Sequence, residues 1–178
     1  MSSLLETLNH ALGADSVDEI SQRIGAQPDQ TRTAIQQALP VILGALGQEA
    51  ADPQRAPGLQ RALAEDHDGS VVDDPQAYLA GAMPQKATDG QAILDHVLGD
   101  RQEAAHQALS SKTGLDMSKI ASLLPLLAPI VMSLLGKQQR NGGTGAGDLG
   151  SILSGETNRA AGASPDIGDL LSSVLGGR

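Results

Sequence analysis

One apolar pattern occurs twice in this chain, and no other feature restricts the fold as much. Pro40-Val41-Ile42-Leu43-Gly44-Ala45-Leu46-Gly47-Gln48 returns as Pro129-Ile130-Val131-Met132-Ser133-Leu134-Leu135-Gly136-Lys137. Proline, leucine and glycine recur in register. Apolar replaces apolar and small replaces small, except at Ala45, which becomes Leu134. A second anchor lies upstream, where Leu8-Asn9-His10-Ala11-Leu12-Gly13 resembles Leu94-Asp95-His96-Val97-Leu98-Gly99. His96 follows His10 by 86 residues and Pro129 follows Pro40 by 89. The slip of about three residues is close to one helical turn, which a helix end or loop absorbs. Two anchors in the same order predict a duplicated helical unit, residues 3–51 and 88–140, pinned by His10, Gly13, Pro40, Gly47, His96, Gly99, Pro129 and Gly136.

The predicted fold is all-α: a multihelical bundle of two similar repeats over 1–140, joined by an acidic connector, 52–87, and followed by a Gly-rich tail, 141–178. Tyr78 is the sole aromatic residue and there is no cysteine, so the core must be built from Leu, Ile, Val, Ala and Met. Such a core suits helices that approach closely over Ala and Gly, and it predicts modest stability aided by self-association. Apolar spacing places helices over residues 3–12, from Asp15 or Ser16 to Ile24, from Pro28 towards Ala50, over Leu59 to Ala64, Pro75 to Met83 and Arg101 to Leu109. Thr88 or Asp89 should cap a helix opening at Ala92, and Asp116 or Ser118 the long apolar one. Pro40 should kink or divide its helix. The one alternating stretch, Ser70-Val71-Val72, is too short for a sheet.

The tail carries ten of the 21 glycines and reads as flexible. Within it two apolar segments share an Asp start and a Gly stop, and are too short to be stable helices in water. Their residues Leu149, Ile152, Leu153, Leu170, Leu171, Val174 and Leu175 are the candidates for self-association, docking in a groove of the same chain or of a neighbour.

A net charge of −9 disfavours phosphate backbones and anionic membranes. The second repeat is mildly basic, so Lys112, Lys119, Lys137 and Arg140 are the only DNA-facing candidates, and nucleic-acid binding is not expected. One ring cannot supply the stacking that single-stranded nucleic acid or sugar sites use. No signal peptide is visible, and Ile120 to Gly136 is barely long enough to span a bilayer and holds two prolines. A buried central helix, no membrane span and a cytoplasmic location are expected.

Chemistry has two candidate places. Asp66, His67, Asp68, Asp73 and Asp74, within the loop 65–74, offer oxygens and one imidazole to a hard cation, but the glycine and glutamate positions of an EF-hand are missing. Local turns and helix caps explain the same residues. His10 and His96 either converge on a pseudo-symmetric site or each favour the C-terminal end of their own helix. No nucleophile elbow occurs, and Gly143-Thr144-Gly145-Ala146-Gly147 follows no strand, so it is not a phosphate loop.

Together these motifs resemble a bacterial family of unknown function, the YidB-like group. The resemblance is carried by Leu39 to Leu46, His67-Asp68-Gly69-Ser70-Val71-Val72-Asp73-Asp74, Gly90 to Gly99 and the Leu124 to Gly136 run. It implies a compact multihelical bacterial protein with no established activity, and no catalytic residue or cofactor comes with it. The expected function is a non-enzymatic scaffold or self-assembling interaction protein, a homo-oligomer with an unidentified protein partner. The alternative is a ligand- or metal-binding helical module using the acidic loop and the paired histidines.

Overall fold

The computed structural model describes residues 3–83, 89–142 and 146–176. Every regular element among them is helical: α1 (Leu4–Ala11), α2 (Ala14–Ile24), α3 (Pro28–Ala51), α4 (Ala56–Glu65), α5 (Ser70–Asp73), α6 (Pro75–Leu79), α7 (Gly90–Val97), a 3₁₀ turn (Gly99–Arg101), α8 (Gln102–Thr113), α9 (Met117–Gly142), α10 (Ala146–Ala163) and α11 (Pro165–Leu175). The chain is all-α.

Local signals set most boundaries. Ser3 and Glu6 form a capping box at the start of α1. Gly25 and Gly114 close α2 and α8 in the left-handed conformation that lacks a Cβ penalty. Pro28 stands in the first turn of α3. Asp89 caps α7 by accepting from the Ala92 N–H at 3.1 Å; Thr88, the other candidate, lies outside the described residues. At α2 the expectation fails: Gly13 occupies the cap with no side-chain bond, and neither Asp15 nor Ser16 serves.

The two copies of the apolar pattern are the centre of the molecule. Residues 38–47 of α3 and 127–136 of α9 are buried without interruption. A helix buried on all sides needs neighbours on all sides, and the remaining helices supply them. α3 and α9 touch each other, and both touch α2 and α8. α10 and α11 cover α3, whereas α4, α5 and α7 cover α9. Although α9 is long and apolar enough to cross a membrane, 72% of that stretch is buried by the fold, so the core accounts for its apolarity.

Pro40 does not divide α3, and Pro125 and Pro129 lie within an unbroken α9. Each proline removes one backbone donor, but packing from every side holds the helix together. The loss at Pro129 leaves the Pro125 carbonyl without its helical donor. Tyr78 fills this region: its hydroxyl donates to the Leu126 carbonyl at 3.0 Å and lies 3.5 Å from that of Pro125. Burial pushes the phenol up to about 12, which keeps it a donor. Gly90 packs against the same Pro125 carbonyl.

The C-terminal segment differs most from expectation. Its two apolar stretches are not loose segments but parts of α10, with 18 residues, and α11, with 11. Leu149, Leu153, Leu170, Leu171 and Val174 are buried, largely on α3, and Leu175 is half-buried. Helices this short are marginal alone, and burial of their apolar face supplies what length does not. Only Ile152, of the seven self-association candidates, is exposed, at 39%.

Small residues make these contacts possible. A methyl group at Gly136 would overlap the His67 carbonyl oxygen and lie 2.9 Å from that of Leu63. One at Gly90 would overlap the Pro125 carbonyl. Gly155, inside α10, faces open space. Gly136→Ala and Gly90→Ala should each therefore lower stability by about 1–3 kcal/mol or more, whereas Gly155→Ala should raise it by roughly 1 kcal/mol. Urea unfolding followed by circular dichroism measures all three; equal small effects would refute the close-approach account.

Candidate functional site

The acidic loop is fastened to its own turns and to α9. The Asp68 carboxylate accepts from the Ser70 N–H at 2.9 Å and its hydroxyl at 2.5 Å, which holds the Asp68 carboxyl below its ordinary range. Asp74 accepts from the Ala77 N–H at 3.0 Å and caps α6. Asp73 pairs with Lys137 of α9. Asp66 is half-buried beside them. The His67 carbonyl accepts from Arg140, and the Ser133 hydroxyl of α9 accepts from the Val72 N–H at 3.1 Å. One carboxylate oxygen of each of Asp68, Asp74 and Asp73 is thus engaged by a turn, a cap and Lys137 of α9. Among the described residues, no three His, Asp or Glu side chains are placed to share a metal ion. Three of the basic candidates of the second repeat are engaged: Lys137 and Arg140 with this loop, and Lys112 of α8 with Asp166 of α11 at 2.9 Å and Asp169 at 3.6 Å.

The paired histidines do not converge. Each stands in the last turn of its helix, His10 in α1 and His96 in α7, but they line separate clefts. His96 faces the C-terminal end of α3, in a cleft of about 950 Å³ completed by the 3₁₀ turn and by Leu175 of α11. His10 faces the C-terminal end of α9, in a cleft of about 770 Å³ beside α5. Each histidine therefore meets the long helix that carries the other copy of the apolar pattern.

Glu49 distinguishes the first cleft, and no sequence motif marks it. It lies in the last turns of α3, and its side chain is 1% exposed. One carboxylate oxygen accepts from Arg55 Nη1 at 2.6 Å. The other, Oε2, is buried with no hydrogen-bond partner, and His96 Nε2 stands 3.8 Å from it. Arg55 also approaches Asp52 at 3.8 Å, and Glu49 holds the guanidinium above its usual value. Arg101 donates to Gln48 and to the Val97 carbonyl, so neither guanidinium is spare. The rim carboxylate Asp95 accepts from Gln102 and Gln91, which hold it below the ordinary range.

The second cleft is its neutral counterpart. Counting 89 residues on, the offset of the two prolines, Glu49 becomes Gln138 and Asp52 becomes Asn141. Both amides line the His10 cleft. The geometry is shared and the charge is not. Extending the alignment of the copies one residue past Gln48 reaches Glu49 opposite Gln138; the burial of Glu49 is not visible there.

Two histidines titrate from inside the fold, His67 buried and His106 half-buried. Each has one ring nitrogen buried without a partner, Nδ1 and Nε2 respectively. Burial lowers both from 6.5, opposed by Asp66 and Asp68 at His67 and by Glu103 at His106. The unfolded chain therefore binds these protons more readily than the folded one. Their contribution is complete above 6.5 and is lost as pH falls below it towards the folded values. The urea midpoint should drop between about pH 7.5 and 5.5, and His67→Leu with His106→Leu should flatten that drop. An unchanged slope in the double variant would show that other groups govern it.

No curated protein and no solved structure matches the chain. A family does: residues 6–138, which take in both copies of the apolar pattern, the acidic loop, Glu49 and both histidines, match the family described as bacterial protein of unknown function, DUF937. The chain belongs to that family, whose motifs are those of the YidB-like group.

Proposed function

We propose that this protein is a non-enzymatic helical interaction module, formed by internal duplication, that assembles with further copies by exchanging its C-terminal helix pair. Duplication is supported by how the halves cover one another. The segment following α3 covers α9, and the segment following α9 covers α3. α2 touches α6 as α8 touches α11. In this reading the connector and the tail are equivalent parts of the two repeats.

The observation that carries assembly is the seat of α10 on α3. Gly47 leaves room for Leu153: a Cβ there would lie 3.3 Å from the Leu153 Cβ. Leu171 and Leu175 press on Gly44 in the same way. This seat is specific, apolar and filled by a terminal segment. A neighbour's identical segment satisfies it equally well, and exchange of such an element is a low-cost route to a dimer. The leucines proposed for self-association then act through the same contacts, contributed by the neighbour.

The chain has no cysteine, so one pair can be introduced cleanly. Gly47→Cys with Leu153→Cys places two Cβ atoms close to disulfide range. After refolding at rising concentration and oxidation, covalent dimers should appear on a denaturing non-reducing gel. Internally closed monomers at every concentration would overturn assembly by exchange. Light scattering with refractive-index detection gives the mass of the unmodified chain alongside.

A further inference from the structure

We propose that the cleft between the end of α3 and α7 is a binding site for an alkylammonium group, with Glu49 as its anchor and His96 as its cover. The site is independent of the assembly reading. Its cations are already engaged: Arg55 on Glu49 and Asp52, Arg101 on Gln48 and the Val97 carbonyl. Four carboxylates, Glu49, Asp52, Asp95 and Asp100, line it against those two guanidiniums, so the cleft is acidic. What remains unsatisfied is an acceptor. Glu49 Oε2 belongs to a side chain only 1% exposed, has no hydrogen-bond partner, and lies beside the cleft-lining His96. An orphaned carboxylate oxygen in a buried setting is costly, and an N–H donor bearing positive charge is the partner that relieves it best. Leu98 and Leu175 give the cleft an apolar wall for a methylene chain. At about 950 Å³ it is the size of a small-molecule site.

His96 decides access. Its ring is 64% exposed, free to swing, and stands 3.8 Å from Oε2. An ammonium reaches Glu49 only when the imidazole moves aside, and a protonated imidazole competes for the same oxygen. The groups facing His96 are Glu49 from α3, Asp52 and Arg55 after it, Asp95 from α7, and Asp100 and Arg101 from the 3₁₀ turn. The second cleft is a built-in control: with Gln138 and Asn141 in place of Glu49 and Asp52, it lacks those two charges.

The test is a titration of the full chain with 1,4-diaminobutane, read by amide NMR shifts, with sodium chloride as the ionic-strength control. Shifts should appear around residues 48–55 and 95–101 and not around His10. Glu49→Gln should weaken binding about tenfold or more, the worth of a charge-assisted hydrogen bond. His96→Ala should strengthen it, which a merely structural histidine would not do. A second arm uses an acetylated, amidated Gly-Lys-Gly peptide. Tighter binding of the peptide identifies a protein lysine as the source, and tighter binding of the diamine a free amine; either supports the site. No shift with either probe, the same shifts with salt, or shifts unaltered in Glu49→Gln overturns it. Should Glu49→Gln fail to fold, His96→Ala and the half-buried Asp52→Asn decide: the site stands only if the first strengthens and the second weakens binding.

Discussion

Backbone approaching backbone at small residues is the contact on which this structure depends. With a single aromatic ring in the chain, the core cannot fill wide gaps between helices. The helices must instead come close, and they do so at glycine. Gly136 lets α9 lie on the carbonyl that ends the α4 loop, and Gly90 lets α7 lie on the carbonyl of Pro125. Gly44 and Gly47 receive the C-terminal helices. Dispersion and area burial between aliphatic side chains then act over short distances, where close packing is most effective.

Proline inside the central helices belongs to the same arrangement. It removes backbone donors where no water can substitute, so the freed carbonyls need other company. Around Pro125 that company is the Tyr78 hydroxyl and the Gly90 backbone. The one tyrosine is therefore less a hydrophobic filler than a buried donor. The acidic loop works similarly on the other face, where its oxygens bind local amides and Lys137 while its backbone meets Ser133 and Arg140. Asp73 and the loop backbone fasten a turn to a helix.

The two clefts show how one geometry carries two electrostatic characters. Both place a histidine from a short helix against the end of a long one. Glu49 and Asp52 line one and the corresponding amides Gln138 and Asn141 the other, with little change in side-chain shape. In a partly enclosed setting that difference governs which ligand charge is tolerated, because low local dielectric magnifies unpaired charge.

Much of the architecture was legible from periodicity and punctuation. Apolar spacing, Gly stops and Asp or Ser caps act within a few residues, so all-helical structure and the burial of both apolar runs follow from local sequence. The undivided helix through Pro40 did not follow, because surrounding packing overrode a local penalty. The helices of the C-terminal segment did not follow either, since their stability comes from α3, distant in the chain. The histidines were found by pattern, but their separation into two clefts and the isolation of Glu49 Oε2 depend on which helix ends meet. Sequence alone determined the helices before the C-terminal segment, their apolar faces and the small residues at which they can touch. Tertiary structure decided which faces meet and which carboxylate is left without a partner, because burial and hydrogen-bond satisfaction are properties of neighbours that the linear chain does not specify.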